Sequence, residues 1–372
     1  ELGKEPSFMD FGVQMIFQSY AYGSDVTDAQ VYEEEIALGL LAEELGFDKL
    51  WPVEHHFEDY AFCPDNTQFL SYMAARTSRI ALATGAVILP WNDPLRVAEK
   101  VVLLDHLSKG RAVFGMGRGL ARREYGPFRV DMDSSRDRFD EAAPMILDAL
   151  ETGIIEGRGP YYAQPRTVIR PRPLGSFKGR TYCVAMSPDS VLAAARLGAR
   201  PVMFSQRPWE AAKDAIAAYR SEYSRHHSDA PPPPVTCDFV YCDDDAQRAE
   251  EKAKEHLTGY LTSVLGHYEL AGEHFKSTRG YESYGTAVDL LRELGLDAMR
   301  DAYLAVQIWG TPAMCIEKIE HRQRLIGDFD LTCCFRFAGL AHSDAQRSMR
   351  TFATKVMAPL RERARSRDAG AS

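Results

Sequence analysis

The sequence predicts an α/β protein that folds as a (β/α)8 barrel. Apolar runs of strand length alternate with segments of helical period from end to end, giving about eight strand–helix units. Composition does not shift in mid-chain, which favours one barrel over the alternative of an open doubly wound sheet. One apolar run, from Asp48 to Val53, ends abruptly in ionisable residues, and barrels carry their chemistry where strands end.

In the first half of the chain each predicted strand is a near-continuous apolar run, as buried parallel strands are. These strands are Phe11–Phe17, Asp48–Val53, Ile80–Leu89 and Ala112–Met116. The segments between them have apolar residues at helical spacing. These helices are Gln30–Leu45, Gln68–Arg76, Leu95–Leu107 and Ser135–Glu151. Gly46 stops the first helix, and Ser134 or Ser135 is available as the N-cap of the fourth.

The regular alternation then breaks at residues 157–178, which hold several prolines, a Tyr-Tyr pair and β-branched residues. We interpret this segment as an insertion after the fourth unit, with a hairpin in it. The later strands are predicted at Tyr182–Ala185, Pro201–Phe204, Val235–Tyr241 and Leu331–Phe337. The later helices are predicted at Ser190–Leu197, Glu210–His226, Ala246–Val264 and Asp344–Glu362. Residues 9–362 thus form a single predicted domain.

Charge and composition narrow the class of protein. The formal net charge is −9, and no basic cluster suggests a nucleic-acid partner. No apolar run approaches the length of a membrane span, and the polar N-terminus lacks a signal-peptide core. Seven cysteines with scattered spacing are typical of free thiols in a reducing compartment, so we expect a cytoplasmic protein.

The first candidate site is Glu54-His55-His56, at the end of the second predicted strand. Histidine at such a position indicates proton transfer near neutral pH. The alternative, given equal weight from these residues alone, is that the histidines cap helices or bind backbone carbonyls. A metal site is disfavoured, because adjacent histidines point apart and no third ligand has suitable spacing.

A second set of residues suits a phosphate group. Arg118 follows the glycine-rich end of a strand, and Arg136 lies near the start of a helix. Ser187 and Ser190 stand where a further strand passes into a helix, an arrangement that binds anions. The alternatives are a glycine-rich turn with a surface arginine and ordinary serine N-caps. The four residues together could hold one phosphate.

Gly85 interrupts the third apolar strand, beside Ala86. Glycine weakens a strand unless the backbone must approach something closely, and a flat aromatic ring is one such partner. The alternative is a β-bulge.

In this order, these residues resemble the bacterial luciferase family of flavin-dependent monooxygenases, most closely its catalytic alpha subunit. The likeness covers nearly the whole chain, and its motifs are specific through their colinear arrangement rather than singly. The motifs are Gly46-Phe47-Asp48, Trp51, Glu54-His55-His56-Phe57, Ala86-Val87-Ile88-Leu89-Pro90, Leu103-Leu104-Asp105, Ser108-Lys109-Gly110-Arg111, Phe114-Gly115, Arg118-Gly119-Leu120, Asp131-Met132-Asp133, Ser135-Arg136, Val184-Ala185, Ser187 and Gly310-Thr311-Pro312.

The resemblance implies a two-component monooxygenase that receives FMNH2 from a separate flavin reductase and reacts it with O2 through a C4a-hydroperoxyflavin. His55 matches the catalytic histidine of the family. Arg118, Arg136, Ser187 and Ser190 match the FMN phosphate contacts, and Glu54, Gly117 and Met186 belong to the expected cofactor surroundings. Gly85-Ala86 matches a cis peptide beside the isoalloxazine ring, and residues 267–298 match a mobile lid. A homodimer is expected.

Two positions depart from the light-emitting pattern. Gly117 replaces a reactive cysteine, and Met186 replaces a glutamate. The resemblance therefore favours oxygenation of another small organic molecule by hydroxylation, epoxidation or Baeyer–Villiger-type insertion. Arginine outnumbers lysine, as in proteins of GC-rich genomes, which suggests antibiotic or other secondary-metabolite biosynthesis. The alternatives are a long-chain aldehyde-oxidising luciferase, an F420-dependent oxidoreductase and a non-catalytic flavin-binding subunit.

Overall fold

Eight parallel strands close into a barrel, as the sequence predicts. The computed structural model describes residues 9–270, 272, 274–279, 281 and 295–371, with side chains described as far as residue 366. The barrel strands are β1 (Phe11–Met15), β2 (Lys49–Pro52), β3 (Ala81–Ala83), β5 (Ala112–Gly117), β8 (Thr181–Val184), β9 (Arg200–Phe204), β10 (Val235–Cys242) and β12 (Asp330–Cys334).

Closure is achieved by β1, which pairs with β12 on one side and with β2 on the other. Phe11 lies opposite Leu331, and Val13 lies opposite Leu50. The other strands continue the parallel pairing around the barrel through β9 and β10. Because every barrel strand runs in the same direction, all of their carboxyl ends meet at one end of the barrel, where such folds place their sites.

Helices alternate with these strands and cover the barrel. Their bounds are α1 (Asp28–Glu44), α2 (Asn66–Arg76), α3 (Pro94–Ser108), α4 (Arg122–Tyr125), α5 (Ser135–Thr152), α6 (Pro188–Arg196), α7 (Lys213–His226), α8 (Ala246–His267), α9 (His274–Ser277), Leu296–Val306, Pro312–Ile326, His342–Phe352 and Ala358–Ala371. Short 3-10 turns lie at Leu89–Trp91, Met132–Ser134 and Trp209–Ala212, and a π-helical turn at Ala353–Met357 joins the last two helices.

The third predicted strand is two strands in the structure. β3 stops at Ala83, and the short β4 (Val87–Ile88) resumes the pairing with β5. Between them the Thr84 hydroxyl donates to the Gly115 carbonyl at 2.7 Å and accepts from the Gly115 N–H at 2.8 Å. The Thr84 side chain therefore takes the place of a backbone hydrogen-bond partner for Gly115. A Cβ at residue 115 would lie 2.1 Å from the Thr84 carbonyl oxygen, so this close approach requires glycine.

Several elements were not predicted from the sequence, among them α4, α9 and the helix Leu296–Val306. A short strand, β11 (Ile308–Gly310), extends the sheet by pairing with β10, and the helix Pro312–Ile326 follows it. The last helix, predicted as one segment, is interrupted by the π-helical turn at Ala353–Met357. These differences leave the order of the eight barrel strands unchanged.

Two predicted segments lie outside the barrel itself. Near the predicted insertion at 157–178, an antiparallel pair forms between β6 (Ile154–Ile155) and β7 (Thr167–Val168). Of the predicted lid, 267–298, residues 271, 273, 280 and 282–294 lie outside the described residues. The lid assignment therefore stays a prediction. Within the described part of the chain no helix has the length and apolarity needed to cross a bilayer. All seven cysteines are free and buried.

Candidate active site

The predicted site residues lie at one end of the barrel because each follows the carboxyl end of a strand. Glu54 and His55 come directly after β2, and Gly85 lies between β3 and β4. Arg118 follows β5, and Ser187 caps the helix that follows β8. Parallel strand direction alone thus brings together residues that are far apart in sequence.

The Glu54 carboxylate joins the loops that follow β2 and β4. It accepts hydrogen bonds from the Ile88 N–H at 3.0 Å, the Trp91 indole N–H at 2.7 Å and the Asn92 side chain at 2.9 Å. The His56 Nε2 atom lies 3.4 Å away from the same carboxylate. Through these hydrogen bonds Glu54 stabilises the two loops relative to each other. The predicted contact of Glu54 with a cofactor stays a prediction.

His55 is held by a buried carboxylate that the sequence analysis did not single out. The Nδ1 atom of His55 lies 2.9 Å from Glu124 Oε1, which also accepts the His56 backbone N–H at 2.8 Å. Burial raises the pKa of Glu124, but the adjacent His55 and the other donors outweigh it and lower that pKa below its ordinary value. Glu124 is therefore an anion that accepts the Nδ1 proton, so Nε2 carries the free lone pair of the imidazole.

The Nε2 side of His55 faces hydroxyl groups from other segments. The Tyr268 hydroxyl lies 3.3 Å from Nε2. The Tyr60 hydroxyl lies 3.4 Å from that of Tyr268 and 2.8 Å from that of Tyr260. Burial raises the pKa of Tyr60 to about 12, so its hydroxyl stays protonated at neutral pH. A chain of tyrosine hydroxyls therefore leads from His55 toward helix α8.

His267, the last residue of α8, completes the surroundings of His55. Its ring stacks on Tyr60 with centroids 4.3 Å apart, and it meets His55 edge-on at 5.3 Å. Burial, followed by the nearby His55 charge, lowers the pKa of His267 to about 3, so the ring is neutral. His267 fell within the predicted lid but was not singled out as a site residue.

The four predicted phosphate residues meet on the other side of the site. Burial lowers the pKa of Arg136, and the neighbouring Arg118 charge lowers it further. Ser187 and Ser190 form a capping box at the start of α6, in which the Ser187 N–H donates to Ser190 Oγ at 2.9 Å. The charge of Asp189 on the same turn also acts on Arg136. Two guanidinium groups and the N-terminus of a helix are thus close together.

Arg136 is the more informative of the two arginines. Its Nε and Nη2 atoms are buried and have no hydrogen-bond partner among the residues that the structure describes, while Nη1 lies 3.6 Å from Asp140. Buried donors in proteins are nearly always satisfied, so these two atoms indicate a missing acceptor. Arg118 lies under the Tyr281 ring, 3.9 Å from its centroid, and the Tyr281 hydroxyl donates to the Gly119 carbonyl at 2.7 Å.

A small cleft lies among the barrel strands, next to Gly85 and Ala86. It is lined by Gln14, Trp51, Thr84, Gly85, Ala86, Gly115, Met116, Tyr182, Val184, Val202, Phe204 and Cys237. The Gly85–Ala86 peptide bond is cis, as the family resemblance implied. Asn66 donates to the Ala86 carbonyl, in the next peptide unit, at 3.0 Å. A Cβ at Gly117 would lie 3.1 Å from Ile88 and 3.5 Å from Ala86, so Gly117 borders the same surface.

Met186 stands beside the cleft at the end of β8, where its sulfur lies 3.1 Å from the Phe204 backbone nitrogen. The structure therefore gathers all ten predicted site residues at the carboxyl end of the barrel. Glu124, Tyr60, Tyr268 and His267 were missed. Glu124 had a usable signal, since it is an acidic residue in the loop that follows β5, close to Arg118.

Comparisons with known proteins agree with this architecture. The model of a family described as luciferase-like monooxygenase matches residues 9–328. The alkanal monooxygenase alpha chain of Aliivibrio fischeri is 28% identical over 323 residues, which cover 86% of this chain and 90% of that protein.

Two solved structures share the fold over nearly the whole chain. The monooxygenase RslO1 from Streptomyces bottropensis is 26% identical with a TM-score of 0.75, covering 94% of this chain and 99% of that one. The oxygenating constituent of 3,6-diketocamphane monooxygenase from Pseudomonas putida, solved with FMN, has a TM-score of 0.73. It is 16% identical and covers 94% of this chain and 98% of its own.

Proposed function

The chain belongs to the luciferase-like monooxygenase family and is a flavin-dependent monooxygenase, and from this premise we propose that it uses FMNH2 and O2 to oxygenate a small organic molecule. When bound, reduced FMN supplies the activation of O2. The residues of this chain bind the cofactor, keep water out and handle protons.

The observation that carries this proposal is that two buried donors of Arg136 have no partner within the described part of the chain and lie near a second guanidinium. Two neighbouring cations repel, which is unfavourable unless an anion lies between them, and the Arg118 charge contributes to the lowered pKa of Arg136. A phosphate monoester supplies several acceptor oxygens and a charge near −2. The cleft is lined by the small residues Gly85, Ala86 and Gly115, and small residues there leave room for the planar ring attached to that phosphate.

His55 is the proposed proton-handling residue. Glu124 fixes the Nδ1 proton, so Nε2 is the atom that accepts a proton and returns it. The Tyr268 hydroxyl, at 3.3 Å from Nε2, holds the imidazole from the other side. Glu124 touches His55 rather than the reacting atoms, and is therefore a positioning residue.

Further parts of the proposal rest on the family and on surface features. A separate flavin reductase supplies the FMNH2, in the cytoplasm, which fits a chain with seven free thiols. A homodimer is supported by exposed apolar side chains on two helices that pack together, Tyr72 on α2 and Leu103 and Leu107 on α3. An organic substrate of secondary metabolism fits the replacement of the luciferase cysteine by Gly117.

Anaerobic titration with FMNH2 tests the cofactor assignment. We expect Arg136→Ala to weaken binding by about tenfold or more, because a charged hydrogen bond contributes about 1.5–3 kcal/mol. Arg138→Ala is the matched control, since Arg138 lies on the same helix and donates to Ser134 instead. Parallel titration with F420 decides between the two cofactors. Tighter binding of F420, or equal FMNH2 affinity in both variants, would contradict the proposal.

Stopped-flow mixing with O2 tests the role of His55. We expect His55→Ala to bind FMNH2 while losing most of the substrate oxygenation seen in the wild type. Product is followed by mass spectrometry with 18O2, which reports transfer of one oxygen atom to the organic molecule. An unchanged oxygenation rate in His55→Ala would show that another residue handles the proton.

A further inference from the structure

We propose that His55, Glu124 and His267 form a binding site for one divalent transition-metal ion, and that the ion inhibits the enzyme. The binding part stands on the structure alone, and the inhibition part rests on the proposed function. The site would take an ion of the Zn²⁺ and Co²⁺ class.

Three ligand atoms from separate segments converge at this point. One atom from each side chain lies within 4.8 Å of the other two. His55 Nδ1 is 2.9 Å from Glu124 Oε1, and His267 Nε2 is 3.8 Å from the same oxygen. Ligands about 2.0–2.1 Å from a tetrahedral Zn²⁺ are about 3.3 Å apart. The two observed separations lie on either side of that value, so shifts of less than 1 Å in each bring these pairs to it.

The ring of His267 supplies an independent indication of a missing partner. Its side chain is 1% exposed, and neither ring nitrogen has a hydrogen-bond partner among the described residues. Buried polar atoms without partners are rare and costly. The Tyr60 ring covers one face of His267, which holds Nε2 on the side of Glu124. A bound cation satisfies this nitrogen, whereas a protonated ring is disfavoured by burial.

The kind of ion follows from the donor atoms. Two imidazole nitrogens and one carboxylate oxygen suit Zn²⁺, Co²⁺ and similar ions. Ca²⁺ and Mg²⁺ need more oxygen ligands than this site offers. The His56 N–H holds the Glu124 carboxylate in place at 2.8 Å, as outer groups do in metal sites. His55 is the most exposed of the three side chains, at 17%, so the ion would reach the site from the side of His55.

The proposed inhibition follows because a neutral His55 ring carries one proton, which is on either Nδ1 or Nε2. A metal ion at His55 Nδ1 displaces the proton that Glu124 now accepts. The neutral ring then carries its proton on Nε2, the atom that must accept one during catalysis. The ion therefore removes the proton acceptor without occupying the phosphate site around Arg136. Cofactor binding should survive while turnover falls.

Titration with Co²⁺ in the absence of flavin tests the binding part, by calorimetry and visible absorption. We expect one ion per chain in the wild type and affinity at least about tenfold weaker in His267→Gln. His256→Gln is the matched control, because His256 is a buried residue of the same helix and bonds to the Ala338 carbonyl. Equal affinity in wild type and His267→Gln, or no binding below millimolar Co²⁺, would overturn the proposal.

A measurement on the wild type covers the case in which His267→Gln does not fold. X-ray absorption of the Co²⁺-loaded protein should show nitrogen and oxygen neighbours only, whereas sulfur neighbours would place the ion at a cysteine and overturn the site. For the inhibition part, Co²⁺ should abolish turnover with FMNH2 binding unchanged, and a chelator should restore it. Turnover that persists at saturating Co²⁺ would overturn inhibition, and no turnover before Co²⁺ is added would instead reject the proposed function.

Discussion

Replacement of Glu124 by glutamine is the sharpest test of how the site holds its imidazole. The substitution keeps the size of the side chain but removes the charge that accepts the His55 Nδ1 proton at 2.9 Å. One oxygen, Oε1, accepts from both His55 Nδ1 and the His56 N–H, so an amide oxygen in its place can keep both contacts but without the charge. The tautomer of His55 with its proton on Nδ1 then loses the charge that favours it over the tautomer with its proton on Nε2.

The size of the effect can be estimated from that one contact. A hydrogen bond to a charged group contributes about 1.5–3 kcal/mol, and each 1.36 kcal/mol is a factor of ten. A neutral amide oxygen keeps about 0.5–1.5 kcal/mol of this, so about 1–1.5 kcal/mol is lost and the productive tautomer of His55 should become about five to twelve times less populated in Glu124→Gln. We expect the oxygenation rate at neutral pH to fall by the same factor, with affinity for FMNH2 unchanged.

Single-turnover oxygenation between pH 6 and pH 8 measures this loss. Glu58→Gln is the control, because Glu58 is a half-exposed carboxylate that pairs with Arg123 at 3.0 Å. Circular dichroism confirms that both variants fold. A rate in Glu124→Gln within threefold of the wild type across this pH range would refute the reasoning, since Nε2 would then be available without the carboxylate.

Three further predictions concern folding and stability. Gly115→Ala should fail to fold or should lose several kcal/mol, measured by urea unfolding, because its Cβ would lie 2.1 Å from the Thr84 carbonyl oxygen; a stable variant would contradict the described strand contact. Asp238→Asn should lower the free energy of unfolding by about 3–5 kcal/mol, because the buried Arg322 would keep its charge without a carboxylate to pair with; a loss under 1 kcal/mol would show that the pair is dispensable. Burial raises the pKa of Glu35 from 4.5 to about 7, so this residue favours folding least at high pH, and its contribution falls by about 3 kcal/mol as pH rises from 4.5 to 7. Glu35→Gln should therefore remove that fall from the pH dependence of thermal unfolding, and an unchanged pH dependence would contradict it.

The sequence predicted the barrel well because its strands are buried on both faces. Such strands appear as continuous apolar runs, and all eight were located within a few residues. The run Ile80–Leu89 was predicted as one strand because nothing in its apolarity reveals that the Thr84 hydroxyl bonds to Gly115 of another strand. The strand Ile308–Gly310 has only three residues, too few for a periodic pattern.

The site was predicted only in part, because the sequence shows local changes in polarity but not contacts between distant residues. His55 and Arg118 stand at strand ends, where local sequence shows a change from apolar to ionisable residues. Glu124 and His267 acquire their roles only through contacts with His55, which lies 69 residues before Glu124 in the chain. Contacts over such separations leave no local pattern; the sequence offered only the position of Glu124 soon after β5, and the folded chain reveals its contact with His55.

The neighbouring guanidinium groups of Arg118 and Arg136 also affect the lifetime of the protein in a cell. Two close cations favour the unfolded chain, where they separate, and an anion that binds only the folded chain reverses this bias. A ligand at one hundred times its dissociation constant adds about 2.7 kcal/mol to the free energy of unfolding. Chains made when flavin is scarce should therefore be degraded faster, so that enzyme abundance follows the flavin supply.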